Sequence, residues 1–227
     1  MSTNTGQLNN ESTRHPVNRT LMETGLVAIL RLPDPSRLVA LVDTLVAAGI
    51  RCLELTLTTK GALRLLEEVV ARVPSTVEVG VGTVTSGPEA EAALGAGAAF
   101  LVSPVVQHEV LAAGREAGVP VYPGALTPTE ILDAWRGGAS AVKLFPSSAV
   151  DAGYVAQVRA PLPEVPLVPT GGVRLDNLGS YLRAGCVAVG VGSPLIGDAW
   201  RDGDLEQLAA RARAYLEAIT EARSARG

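Results

Sequence analysis

The chain of 227 residues contains two lysines, Lys60 and Lys143, and the second lies inside the apolar run "ASAVKLFPSS", residues 139–148. In an extended strand successive side chains alternate between faces, so Val142 and Leu144 share one face while Ala141, Lys143 and Phe145 share the other. The run "RCLELTL" repeats the pattern: Leu53, Leu55 and Leu57 point one way, and Cys52, Glu54, Thr56 and Thr58 the other. A lysine nucleophile must be neutral, and at an ordinary pKa near 10.4 only ~1 in 2,500 is neutral at pH 7. Burial disfavours the ammonium and can lower that pKa by up to ~3–5 units. An amine on the inner face of a strand therefore suits Schiff-base chemistry on a carbonyl. Glu54 offers the acid/base group that the accompanying proton transfers need, while its charge opposes the shift. The competing reading is a structural Glu–Lys ion pair. Desolvation can cost such a pair more than its attraction returns, so it is weak support for a stabilising role.

Two glycine-rich stretches suggest what else is bound. "PTGGVR" (169–174) and "GVGSPL" (190–195) each follow an apolar run. Glycine lets the backbone approach an anion closely, and N–H groups at such turns hold phosphate. Gly171, Gly172, Gly192 and Ser193 are the expected contacts. Tight turns that need positive φ are the plainer explanation for any one of these glycines. The only histidines, His15 and His108, form no recognisable ligand set, and no metal is expected.

These residues need a scaffold, and the sequence supplies a repeating one. The runs "LVAILR", "RCLELTL", "VEVGVG", "AFLVS", "VPVYPG", "AVKLF", "VPLVPT" and "VAVGVG" are each followed by an Ala-, Leu- and charge-bearing segment. The repeat of roughly 20–25 residues is that of one βα unit. Eight units predict an α/β protein, a (β/α)8 TIM barrel, with its site at the C-terminal ends of the strands. Inward residues of alternate strands share layers in such a barrel, so Glu54 and Lys143 are placed to meet near its axis. The alternative is a doubly wound open sheet, but neither "GVGTVT" nor "GVGSPL" completes the dinucleotide pattern or belongs to the first unit. Helix starts are expected at "LPDPSRL", "TSGPEAEAAL" and "LTPTEIL", and stops at Gly49, Gly97, Gly118 and Gly185. Residues 1–16 are polar and aperiodic and are expected to form a tail, leaving 17–227 as one catalytic domain closed by an amphipathic helix from Leu205.

Composition limits the partners. A formal net charge of -4 without a basic cluster argues against nucleic acid. No apolar run is long enough for a membrane span. Two cysteines in apolar segments and the lack of an apolar leader segment predict a reduced, cytoplasmic protein.

Over residues 25–199 the chain resembles the class I 2-keto-3-deoxy-6-phosphogluconate aldolases, also named for 4-hydroxy-2-oxoglutarate. The likeness rests on "LELTL" with Glu54, "GVGTV" with Thr83, "LVSP" with Pro104, "PGALTPTE", "VKLFP" with Lys143, "PTGGV" and "GVGS". It implies a homotrimeric barrel, no cofactor, a place in the Entner–Doudoroff pathway, and a phosphorylated 2-keto acid as substrate. Lys143 would form the Schiff base and Glu54, through a water, would take the C4 hydroxyl proton, giving pyruvate and glyceraldehyde 3-phosphate. By the same likeness Thr83 and the backbone near Pro104 would hold the carboxylate, with Phe145 beside the substrate. Thr170, Gly171, Gly172, Gly192 and Ser193 would surround the phosphate. Two departures stand out. Thr58 occupies a substrate-binding position where many members carry arginine, leaving Arg31 to supply charge from a neighbouring strand, and Ser147 replaces a usual alanine. The first opens the choice of sugar acid, with the 6-phosphogalactonate analogue as alternative. A phosphosugar-binding barrel without lyase activity is the reading from a different class.

Overall fold

The structure, a computed structural model, describes residues 14–225. All its strands are parallel and lie in two sheets. The six-stranded sheet has the order β5-β4-β3-β2-β1-β9, formed by β1 (Leu26–Leu30), β2 (Cys52–Thr56), β3 (Glu78–Gly82), β4 (Leu101–Val102), β5 (Val121–Tyr122) and β9 (Val189–Val191). The three-stranded sheet is β6 (Gly124–Ala125), β7 (Val142–Leu144) and β8 (Leu167–Pro169). This is an α/β fold whose parallel strands curve into a half-barrel, with the second sheet continuing from its edge. Each expected apolar run contains a strand, and "VPVYPG" leads into a ninth segment. Pro123 alone separates β5 from β6; it has no N–H to give a ladder, but its carbonyl accepts from Lys143 N–H at 2.9 Å.

Alternation sorts the strand residues into two cores. Leu26, Ala28 and Leu30 of β1, Leu53 and Leu55 of β2, and Val142 and Leu144 of β7 pack with the helices. Val27, Ile29, Cys52, Phe100, Val102, Tyr122 and Val168 form a separate cluster on the inner face. The inner face has room because β3 presents glycines there. A Cβ on Gly80 would overlap the Phe100 ring, and one on Gly82 would overlap the Glu54 carboxylate.

Side-chain caps set the starts of some of the helices. Ser86 caps α4 (Gly87–Gly95), and Thr127 with Glu130 forms a capping box on α6 (Pro128–Arg136). At "LPDPSRL" the helix begins at the last residue of the stretch. α2 (Leu38–Ala47) has Arg37 at its N-cap without a side-chain cap, and the Ser36 N–H donates to the Asp34 carboxylate at 2.9 Å in the turn before it. The closing helix α10 (Leu205–Ser224) buries Leu208, Ala212, Tyr215, Ile219 and Ala222 and lies against α2 and α8 (Leu178–Arg183).

Of the expected tail, residues 1–13 lie outside the described residues. Arg14 is held against α6, its guanidinium carbon 3.1 Å from the Trp135 ring centroid and Nη2 donating to the Trp135 carbonyl at 2.6 Å. A helix not anticipated from the sequence follows, α1 (Arg19–Thr24), which places Leu21, with no exposed surface, in the inner cluster below the strands.

Candidate active site

Lys143 is the middle residue of β7, in register with Gly124 on one side and Val168 on the other. Its flanking residues face the helices, so parity turns the amine inward, where it is 5% exposed and lies 5.0 Å from the Phe145 ring centroid. Glu54 is the middle residue of β2, in register with Ile29 and Gly80, and is 2% exposed. Both side chains line one small inner pocket of about 10 Å³, together with Val27, Val102, Tyr122, Val168, Thr170 and Gly190. That is close to the space of a single water.

The two groups are neighbours without being an ion pair. Among the described residues no salt bridge involves either, and Glu54 Oε1 is buried with no hydrogen-bond partner. Burial pushes the Glu54 carboxyl above the ordinary carboxylate range, and the positive charges of Lys143 and Arg31 oppose the rise without cancelling it. The result is a carboxyl group that binds its proton more tightly than usual, next to a primary amine.

Above this pocket the cavity widens to about 510 Å³. Its wall takes Ile29, Arg31 and Pro33 from β1 and the chain beyond it, Lys143 and Phe145 from β7, and Thr170, Gly171, Gly172 and Val173 from the end of β8. Gly190, Gly192, Ser193, Pro194, Ile196, Gly197 and Trp200 complete it. Gly171 and Gly172 have φ of 79° and 96°. A Cβ on Gly172 would come within 2.9 Å of the Ser148 Cα, so both conformation and space require glycine. Among the described residues the N–H groups of these two glycines bond no backbone carbonyl, and that of Ser193 opens the short helix α9 (Ser193–Ile196). Successive free N–H groups of this kind form an anion-binding concavity.

Ser147 fixes the loop relative to Lys143. Its hydroxyl donates to the Leu144 carbonyl at 2.7 Å and accepts from Thr170 N–H at 2.9 Å, tying the end of β7 to the end of β8. The hydroxyl of Tyr181 in turn holds the Ser147 carbonyl at 2.9 Å.

The structure thus gathers Arg31, Lys143, Phe145, Thr170, Gly171, Gly172, Gly192 and Ser193 around one cavity, with Glu54 in the pocket beneath. Thr58, Thr83 and Pro104 lie in neither wall. Thr58 is exposed and its hydroxyl pairs with Thr56 Oγ1 at 2.9 Å. Thr83 follows β3 with φ of 64°, unusual for a β-branched residue and a form of strain that gathers at functional sites. The Pro104 carbonyl packs over Gly124, where a Cβ would collide with it. Sequence reasoning missed Ile29, Pro33, Pro194, Ile196 and Trp200. Ile29 shares parity with Arg31 and was within reach of alternation, whereas Trp200 reaches the wall from a turn that no periodicity marks.

A family model described as KDPG and KHG aldolase matches residues 17–210. The 2-dehydro-3-deoxy-6-phosphogalactonate aldolase of Escherichia coli (strain K12) is 33% identical over 199 residues, covering 87% of this chain and 95% of that one. The 2-dehydro-3-deoxy-phosphogluconate aldolase of Pseudoalteromonas atlantica is 33% identical over 187 residues, 81% of this chain and 86% of that one. Among solved structures, the KDPG aldolase of Legionella pneumophila, with pyruvate captured as a covalent carbinolamine, gives a TM-score of 0.74 at 26% identity, covering 89% and 95% of the two chains. On sequence, fold and the disposition of an inward lysine beneath a glycine-lined cavity, the chain belongs to the KDPG and KHG aldolase family.

Proposed function

We propose that the protein is a Schiff-base aldolase that cleaves 2-keto-3-deoxy-6-phosphogluconate to pyruvate and glyceraldehyde 3-phosphate. The observation that carries this reading is the inward, buried Lys143 sharing a water-sized pocket with a carboxyl group that no chain donor satisfies.

The neutral Lys143 amine adds to the C2 carbonyl, and loss of water leaves a protonated imine. Glu54, through a water, takes the proton of the C4 hydroxyl. The electrons of the C3–C4 bond move onto the iminium nitrogen, C4 departs as the aldehyde carbon, and an enamine of pyruvate remains on Lys143. Protonation at C3 and hydrolysis release pyruvate and restore the amine, with no net oxidation. A base whose pKa is raised toward the working pH accepts the proton more readily in such a transfer. Thr170, Gly171, Gly172, Gly192 and Ser193 receive the phosphate, Arg31 supplies the fixed cation that Thr58 does not, and Phe145 flanks the amine. Thr83 and the backbone near Pro104 help to hold the carboxylate in the same scheme.

The scaffold for this chemistry is one catalytic domain from about residue 17, its strands closing into a full (β/α)8 ring. Support for closure is the Thr170–Gly190 bridge, the hydrogen bond of 3.1 Å from Val187 N–H to the Leu167 carbonyl, and the passage of β5 into β6 across Pro123. A homotrimer and a role in the Entner–Doudoroff pathway follow from the family likeness, and the buried thiols of Cys52 and Cys186 suit the cytoplasm.

The C4 epimer, the 6-phosphogalactonate analogue, is the competing substrate, because relatives named for each epimer are equally identical to this chain. Pyruvate release, followed by coupled reduction to lactate, from the two phosphorylated epimers and from 4-hydroxy-2-oxoglutarate tests the assignment. The gluconate epimer should give the highest kcat/KM. A higher value for the galactonate epimer reverses the substrate choice, and release from none of the three refutes the aldolase reading.

A further inference from the structure

The outer part of the 510 Å³ cavity differs in chemistry from its floor. Lys143 at the floor is 5% exposed, whereas Pro33, Pro194 and Gly197 at the rim are exposed. This rim is apolar at Pro33, Pro194 and Trp200, and the buried Ile196 also lines the cavity. Trp200 is half-buried and packs against the main core, so its ring is backed by protein.

Its position is fixed by the backbone around it. The turn 198–203 is closed by the N–H groups of Arg201 and Gly203, which donate to the Asp198 carbonyl at 3.0 and 3.1 Å. Arg37 Nη1 donates to the Gly203 carbonyl at 3.0 Å and fastens the turn to the start of α2. The Arg201 guanidinium lies 5.7 Å from the indole centroid and is paired with Asp202 at 3.3 Å. The backbone that carries the ring is thus fastened at Asp198 and Gly203.

We propose that Trp200 is the specificity-determining residue for the distal, phosphorylated end of the substrate, covering the carbons beyond C4 while the glycine loops hold the phosphate. This rests on the reading of Lys143 as the Schiff-base amine, which places C1–C3 at the floor and the remaining carbons toward the rim. A ring over that end contacts C–H faces of the chain. It also keeps water from the hydrogen bonds between phosphate and the N–H groups of Gly171, Gly172 and Ser193, which strengthen as the local dielectric falls. A shorter acid that ends near C5 does not reach it.

The test compares Trp200→Ala and Trp200→Phe with wild type in two reactions. One is cleavage of whichever phosphorylated epimer the wild type prefers. The other is exchange of pyruvate's methyl hydrogens with deuterated water, which needs Lys143 but nothing beyond C3. Trp200→Ala should raise KM for the phosphorylated acid about tenfold, the consequence of removing roughly one ring face from a small ligand. The KM for pyruvate exchange should move by less than about twofold, and Trp200→Phe should restore most of the loss. A parallel rise in both KM values assigns Trp200 a structural role and overturns the proposal, as does no change in either. Failure of the wild type to exchange pyruvate sinks the aldolase reading instead, so the two failures are distinguishable.

Discussion

The two ends of the strands are built on opposite rules. At the N-terminal end Leu21 fills the centre, and Asn18 uses all of its polar atoms that face inward. Its N–H bonds Tyr122 Oη at 3.0 Å, its side-chain nitrogen bonds Glu78 Oε1 at 2.9 Å, and its side-chain oxygen accepts from the Tyr122 hydroxyl. The Phe100 and Tyr122 rings meet at a 45° tilt with centroids 5.7 Å apart, and burial pushes the Tyr122 hydroxyl well up from its ordinary pKa. At the C-terminal end Glu54 Oε1 has no partner, two glycine N–H groups bond no carbonyl, and Thr83 holds a positive φ. Both ends hold a buried oxygen without a partner, Glu78 Oε2 and Thr20 Oγ1 at the first and Glu54 Oε1 at the second, but only the second opens into a cavity lined by glycine N–H groups. Stability and chemistry are therefore separable by mutation along the strand axis.

The largest expected effect of breaking this separation is on chemistry. Lys143→Ala should lower kcat for retro-aldol cleavage by roughly three orders of magnitude or more, since residual binding does not replace a covalent step. Unfolding monitored by circular dichroism should show that the variant remains folded.

Glu54→Gln comes next and should act on both properties in opposite directions. Loss of the general base should reduce kcat by about 10²–10⁴-fold. The folded-state pKa of Glu54 lies above its ordinary value of 4.5. The folded protein therefore holds this proton to higher pH than the unfolded chain. Its contribution to stability falls as pH rises from the ordinary value through the raised one, and stays low above it. The variant should melt above wild type at pH 8, with the advantage fading toward pH 4.5. The same displacement should shift the acid limb of the wild-type kcat/KM profile above the range of an ordinary carboxylate. A variant that melts below wild type at pH 8 would show that Glu54 is held by interactions other than those seen.

The smallest effect on chemistry should come from the closed end. Leu21→Ala removes a fully buried side chain and should cost about 2–5 kcal/mol in chemical denaturation. The kcat/KM of the folded fraction should stay within about twofold, because Leu21 lines neither the pocket of Lys143 and Glu54 nor the cavity above it. A loss of activity beyond the loss of folded protein would show that the ends are coupled.

The same contrast explains what could be read from the sequence. Lys143 and Glu54 were readable because a strand repeats every two residues, so the leucines and valines around them declare which face is inward. The glycines at 171 and 172 were readable because a backbone that must turn tightly and approach an anion admits little else. The plug of Leu21, Asn18 and Tyr122 was not, since α1 is a six-residue helix whose place is set by the inner cluster it completes. Trp200 was hidden for a related reason, because a turn between helices has no period and its orientation comes from Asp198 and Arg37.

The central claim is that the Lys143 amine forms a covalent bond to a keto acid. Incubating the protein with pyruvate, reducing with borohydride and mapping peptides by mass spectrometry tests it directly. The account predicts loss of activity together with one reduced pyruvate adduct, on the peptide that carries Lys143. Full activity after reduction, or an adduct confined to the peptide that carries Lys60, would contradict it.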